Sequence, residues 1–123
     1  MTDAAGPKRL LVVEDNPITR EGLAAALGRA GYAVLTAADG REALDALRAG
    51  ARPDLVLLDM LMPVLDGWRF LAELRHVAPA PPVVVTTGTI LTREWATANG
   101  CAGFLRKPVA EELLLEEVRR CLG

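Results

Sequence analysis

Short, continuously apolar runs alternate with longer amphipathic stretches five times along the chain. The runs are Leu10–Val13, Ala33–Thr36, Leu55–Leu58, Val83–Thr86 and Phe104–Leu105. Unbroken apolar character, rather than strict alternation, is what strands need when helices cover both faces of a parallel sheet. The second run, flanked by Tyr32 and ending on the polar Thr36, reads as an edge strand.

Helix signals fill the gaps. Asn16-Pro17 is a cap followed by proline at the first helical position, and Gly31 stops that helix. Asp39-Gly40 opens a second helix to about Ala49, with Gly50 as its stop. Asp66-Gly67 opens a third, which ends before Pro79. A fourth spans Leu91 to Ala98 and closes at Asn99-Gly100. The last follows Pro108, with Glu111 and Glu112 in its first turn and Arg119 and Arg120 in its last, charges that complement the helix dipole. A regular (βα)5 order implies a single α/β domain built as a doubly wound parallel sheet. Pro79, Pro81 and Pro82 make a stiff loop within it rather than an interdomain linker.

Composition narrows the class. A chain of 123 residues, half of them hydrophobic, fits one packed domain and argues against disorder. A formal net charge of -2 lacks the basic footprint of a nucleic-acid binder, so no direct nucleic-acid contact is expected. No apolar run approaches the roughly 20 residues of a membrane span, and the N-terminus lacks a signal-peptide core. A cytoplasmic protein without membrane contact is expected. Cys101 and Cys121 read as two free thiols rather than a disulfide framework.

The polar residues beside the strands are not scattered. Glu14 and Asp15 follow the first strand and Asp59 follows the third. Thr87 ends the fourth, and Lys107 lies just beyond the fifth. Right-handed crossovers put all five at one sheet edge, where ligands bind in such folds. Three carboxylates held together repel unless a cation compensates them. Mg²⁺ suits such a group, and a carboxylate beside it can be the nucleophile that forms an aspartyl-phosphate. Lys107 would supply a point charge for phosphate and Thr87 a hydroxyl donor.

With these residues the sequence resembles the receiver domains of two-component response regulators. The matching motifs are Val13-Glu14-Asp15-Asn16, Asp59-Met60-Leu61-Met62-Pro63 with Asp66-Gly67, Thr87-Gly88, and Phe104-Leu105-Arg106-Lys107-Pro108. The resemblance runs from Lys8 to Leu122, which puts a receiver domain at 8–123 and a flexible N-terminal segment at 1–7. It implies a CheY-like, flavodoxin-like fold with strand order 2-1-3-4-5. Asp59 would be the phosphoacceptor, charged by a sensor histidine kinase or histidine phosphotransfer protein. Glu14, Asp15, Asp59 and the backbone carbonyl of Leu61 would hold Mg²⁺, with Mn²⁺ as a substitute. Thr87 and Phe104 would form the switch, Lys107 would pair with the phosphate, and the Lys107-Pro108 bond would be cis. Such a domain is not a turnover enzyme: it catalyses its own phosphorylation and slow dephosphorylation. It passes the signal to a downstream protein target or effector domain. A free-standing regulator is favoured here over a piece of a larger regulator or hybrid kinase.

Departures from the family pattern refine these expectations. Phe104 has no hydroxyl, so contacts that use a tyrosine phenol are missing. The stretch from Thr87 to Phe104 is shorter than in chemotaxis-type receivers, so the fourth helix is expected to be short or irregular. Leu61 sets an apolar side chain where some relatives carry a polar one, which would lengthen the phosphate lifetime. Leu114, Val118, Cys121 and Leu122 share one helical arc and should pack on the sheet. Leu113 falls outside it and, with Trp95 and Phe104, would form an apolar partner or homodimer face on the fourth helix, fifth strand and fifth helix.

Structural readings account for other residues. Asp66 and Asn16 read as helix caps, Thr86 as a structural residue on the opposite sheet face, Trp68 as core and His76 as a solvated surface residue. A haloacid-dehalogenase-type phosphatase is disfavoured because Leu61 stands where those enzymes carry a second aspartate. A flavodoxin-like nucleotide module is disfavoured because the Glu14–Pro17 loop is acidic and lacks glycine. A receiver-like module that no longer takes phosphate would be expected to have lost the acidic residues or the lysine, and both are present.

Overall fold

Every strand but the second is an apolar ribbon with no polar face to offer water, so the sheet must be covered on both sides. The structure is a computed structural model, and it describes residues 6–60, 66–77, 79–88 and 90–122. Its strands are β1 (Arg9–Val13), β2 (Ala33–Ala37), β3 (Leu55–Asp59), β4 (Val83–Thr87) and β5 (Gly103–Arg106). Between and after them run α1 (Pro17–Arg29), α2 (Gly40–Arg48), α3 (Gly67–Leu74), α4 (Arg93–Ala98) and α5 (Glu111–Leu122). All pairings are parallel, and the order is β2-β1-β3-β4-β5, as expected. The exposed second strand is indeed at an edge, and β5 forms the other.

Alternate residues of each strand feed two cores. Leu11, Val13, Val56, Leu58, Val83 and Val85 pack with Leu44 and Leu47 of α2 and Phe70 and Leu74 of α3. Leu10, Val12, Leu55, Leu57, Val84 and Leu105 pack with Leu27 of α1 and Leu114 and Val118 of α5. Cys121 and Leu122 join that second core at its margin, which completes the predicted α5 arc. Each fully buried aliphatic or aromatic side chain contributes roughly 1.5–3 kcal/mol, so these two layers dominate stability.

Helix ends are set locally. Asn16, Asp39, Asp66 and Thr92 each accept a backbone N–H three residues on, at 2.9, 2.9, 2.9 and 3.1 Å. Glu42 answers Asp39 by accepting the Ala38 N–H at 2.9 Å, a variant of the capping box. The Thr92 cap starts α4 at Arg93, two residues later than the pattern Leu91–Ala98 predicts; the apolar Leu91 packs on the core instead. With six residues, α4 is the short helix anticipated from the compressed segment after Thr87.

Trp68 corrects another expectation. It is 44 % exposed rather than core. The buried arc of α3 is Gly67, Phe70 and Leu74, and Trp68 lies about 100° round the helix from Gly67. Its ring instead meets Trp95 of α4 edge-on, with centroids 6.0 Å apart. His76 is exposed, as expected, and Cys101 and Cys121 are free thiols whose partial burial raises their pKa.

Candidate functional site

Parallel strands deliver side chains to one edge in fixed register, and here the register gathers the acids. Glu14 immediately follows β1 and extends its pairing, its N–H donating to the Ala37 carbonyl at 3.1 Å. Asp59 ends β3, and both carboxylates are buried, Asp59 to 4 % exposure. Asp15, next to Glu14, is exposed. One oxygen from each of Glu14, Asp15 and Asp59 lies within 4.8 Å of the others.

Lys107, at the end of β5, reaches back over this group. Its Nζ stands 3.0 Å from Glu14 Oε1 and 3.3 Å from Asp59 Oδ1. Burial by itself would lower the lysine pKa, but the two carboxylates outweigh it and hold the ammonium above its usual range. The Glu14 contact is an ion pair without hydrogen-bond alignment, and Oε1 has no hydrogen-bond partner among the described residues. The other oxygen, Oε2, accepts the Asn16 N–H at 3.1 Å. One ammonium against three carboxylates leaves the cluster net negative. A buried carboxylate oxygen without a hydrogen bond, in an all-oxygen donor set, fits a hard divalent cation. Glu14, Asp15 and Asp59 are the residues that could hold it. The fourth expected ligand, the carbonyl of Leu61, lies outside the described residues.

Thr87 ends β4, fully buried. Asp59 pairs in register with Thr86, so Thr87 lies one residue nearer the same edge. Its carbonyl accepts the Lys107 N–H at 2.9 Å, which ties the threonine's strand to the lysine, and the Lys107-Pro108 bond is cis. Thr86 faces the other layer, where its hydroxyl donates to the Leu58 carbonyl at 3.4 Å. The third strand hands over to α3 through Gly67, whose N–H donates to Met60 O at 3.1 Å. Glu14, Asp15, Asp59, Thr87 and Lys107 therefore stand together at the C-terminal edge.

The expected apolar partner face is not continuous. Phe104 is buried, with the Arg106 guanidinium carbon 5.2 Å from its ring centroid. Trp95 is half-buried against the core layer that holds α2 and α3, with its ring against Trp68. Of the three residues only Leu113, 56 % exposed, presents a free apolar side chain.

Sequence reading missed several arginine contacts. Arg20 of α1 donates to the carbonyls of Glu14 at 3.0 Å and Asp15 at 3.4 Å, bracing the acidic loop. Glu117 of α5 is buried and bonded to Arg93, Arg120 and the Phe104 N–H. Arg120 is three residues on in the same helix, but Arg93 and Phe104 lie on other elements, so no local spacing announces them.

Comparison with known proteins agrees with this geometry. The family profile of the response regulator receiver domain matches residues 10–119. The response regulator MprA of Mycolicibacterium vanbaalenii is 42 % identical over 118 residues, covering 94 % of this chain and 51 % of that protein. MprA of Mycobacterium avium is 40 % identical, over 93 % of this chain and 50 % of its own length. The chain thus spans about half the length of these relatives. Among solved structures, the chemotaxis protein CheY4 of Vibrio cholerae superposes with a TM-score of 0.83 at 32 % identity, covering 94 % of this chain and 99 % of that one. A response regulator of Chloroflexus aurantiacus superposes with a TM-score of 0.85 at 31 % identity, covering 94 % and 98 %. Five parallel strands in the order 2-1-3-4-5, the strand-edge acids with their lysine, and these likenesses converge: the chain belongs to the response regulator receiver domain family of two-component signalling.

Proposed function

We propose that this domain is a phosphoacceptor switch in which Asp59 takes a phosphoryl group from a histidine on a kinase or phosphotransfer protein. The observation that carries the reading is the set of three carboxylates within 4.8 Å of one another with the Lys107 ammonium 3.0 and 3.3 Å from two of them. An Asp59 oxygen attacks phosphorus in line, a new O–P bond forms, and the P–N bond to the donor imidazole breaks with its electron pair returning to that nitrogen. The product is a mixed anhydride, the aspartyl-phosphate. Bound Mg²⁺ or Mn²⁺ would supply positive charge that draws the phosphoryl oxygens to the carboxylates and offsets charge on them during transfer.

The chain's own residues do the rest. Lys107 exchanges its contact with Asp59 for one with a phosphoryl oxygen, and the Thr87 hydroxyl donates to another. Movement of Thr87 frees the space that Phe104 then occupies, and the α4–β5–α5 side changes shape. The output is a shift in population toward the form that phosphate binds better. Ile18, 83 % exposed beside the acidic loop, and the groove of about 560 Å³ between α1 and α5 that reaches Lys107 offer apolar surface to the phosphodonor protein. The downstream partner, an effector domain or a separate protein, belongs to this reading, as does a cytoplasmic location.

Incubation with Mg²⁺ and acetyl phosphate tests it, with intact-mass or Phos-tag detection. Incorporation of one phosphoryl group, lost in Asp59→Asn, is the expected result. Absence of phosphate on the wild-type chain under conditions that load a control receiver would favour a binding module that has stopped using the site.

A further inference from the structure

The three carboxylates of the acidic site are held in unequal ways. Glu14 is buried, its N–H is tied to the Ala37 carbonyl, and its Oε2 accepts the Asn16 N–H at 3.1 Å. Asp59 is a buried strand residue paired with Lys107 at 3.3 Å. Asp15 has neither kind of support. It lies between β1 and α1, it is exposed, and no ion pair among the described residues fixes its carboxylate. Yet one of its oxygens lies within 4.8 Å of oxygens from the other two.

Backbone bonds supply what packing does not. Arg20, half-buried at the fourth position of α1, donates through one terminal nitrogen to the Glu14 carbonyl at 3.0 Å. The same nitrogen donates, less tightly, to the Asp15 carbonyl at 3.4 Å. These two carbonyls belong to the rigid peptide planes that flank the Asp15 Cα. Holding both planes restrains φ and ψ of Asp15, and with them the direction of its Cα–Cβ bond. The chain beyond is fixed as well: Asn16 caps α1 by accepting the Thr19 N–H at 2.9 Å, and Pro17 has a locked φ. Because the arginine bonds go to carbonyls, they take no carboxylate oxygen from a metal ion. A cation in the first turn of a helix opposes the dipole, and α1 carries no acidic residue there. The acidic loop is what favours Arg20 at this place.

We infer that Arg20 is a positioning residue for the divalent ion, holding the loop so that Asp15 meets Glu14 and Asp59 around one cation. The inference rests on the reading that these carboxylates bind Mg²⁺ or Mn²⁺, and it adds a residue that supplies no ligand atom. Removing Arg20 has two effects of opposite sign. Loss of a nearby positive charge strengthens the pull of the site on a cation. Loss of the restraint leaves Asp15 to be ordered by the metal itself, which weakens binding. Solvent beside the exposed loop screens the first effect, so the second decides the sign.

The test titrates wild type and Arg20→Met with Mn²⁺ alone, following free Mn²⁺ by electron paramagnetic resonance, and then with Mg²⁺ by competition. Methionine keeps part of the apolar stem, and thermal melts in EDTA check that the variant is folded. Arg20→Gln, which is neutral and too short to reach both carbonyls, makes the same comparison where Arg20→Met fails to fold. The variant should bind Mn²⁺ roughly tenfold more weakly than wild type. With acetyl phosphate, the Mg²⁺ needed for half-maximal phosphorylation should rise by the same factor. The rate at saturating Mg²⁺ should stay within about twofold of wild type, because the residue orders a ligand and does not touch the reacting atoms. An affinity equal to or tighter than wild type overturns the inference, as does a rate that stays low at saturating Mg²⁺. A wild-type chain that binds no divalent ion overturns the metal reading, and the role of Arg20 with it. A wild-type chain that binds Mn²⁺ but takes no phosphate overturns the phosphoacceptor reading alone, and the Mn²⁺ affinities still decide the role of Arg20.

Discussion

Lys107 Nζ faces Asp59 Oδ1 at 3.3 Å across the C-terminal edge of the sheet, and the same ammonium serves Glu14 at 3.0 Å. One cation shared among three carboxylates leaves residual repulsion that only an added cation removes. Asp59→Asn keeps the shape, removes one of the three charges and leaves the Lys107–Glu14 pair in place. Without divalent metal the variant should be about 1 kcal/mol more stable than wild type, measured by urea unfolding. Adding Mg²⁺ should raise the wild-type Tm by mass action and raise that of Asp59→Asn much less. Equal Mg²⁺ responses would show that Asp59 is not a ligand.

Much of this was legible along the chain, and the limits have a physical cause. Continuous apolar runs mark buried parallel strands, and parallel connectivity alone sends Glu14, Asp15, Asp59, Thr87 and Lys107 to one edge. Caps such as Asn16 and Asp66 are local, so they too could be read. The burial of Glu117 could not, because Arg93 and the Phe104 N–H reach it from α4 and β5, and only Arg120 lies within its own helix. The position of Phe104 was legible but not its burial, which depends on how β5 packs with its neighbours. Trp68 misled because a large aromatic in a helix suggests core, whereas its place on the α3 arc decides.

That placement gives a contrast within one helix. Trp68→Ala removes an exposed ring whose main described ring contact is the edge of Trp95, and should cost about 1 kcal/mol. Phe70→Ala, two residues on, empties a fully buried site between α3 and the sheet and should cost roughly 3–5 kcal/mol. Chemical denaturation of both variants checks the order. A Trp68 cost as large as that of Phe70 would place Trp68 in the core after all.

Two glycines make close approaches of different hardness. A Cβ at Gly67 would lie 2.5 Å from Met60 Sδ and 2.6 Å from Met60 Cα. The second contact is backbone and cannot rotate away, so Gly67→Ala should cost about 3 kcal/mol and disturb the turn out of β3. At Gly103 the obstacles are the side chains of Glu117 and Cys121, which can yield. Gly103→Ala should cost about 1–2 kcal/mol, and less in a Glu117→Gln background than in wild type if the displaced carboxylate carries the penalty.

Glu117 also ties stability to acid. Burial would raise its pKa, but hydrogen bonds from Arg120, the Phe104 N–H and Arg93 more than reverse this and push it down from 4.5 to about 2. A carboxylate with a depressed folded-state pKa binds protons more readily when unfolded. Its stabilisation is therefore complete above the unfolded value near 4.5 and drains away as pH falls toward 2. The contribution near neutral pH is on the order of 2–3 kcal/mol, since each pKa unit is about 1.4 kcal/mol and the arginines are partly solvated. Glu117→Gln lacks this proton uptake, so the gap between wild type and variant should be widest at pH 6–7. By pH 3 more than half of it should be gone, because most of the interval between the two pKa values has been crossed. Urea unfolding of both proteins at pH 7, 5, 4 and 3 measures the gap directly. A gap that stays constant down to pH 3 would mean that Glu117 titrates as an ordinary solvated carboxylate and that its three donors do not hold it.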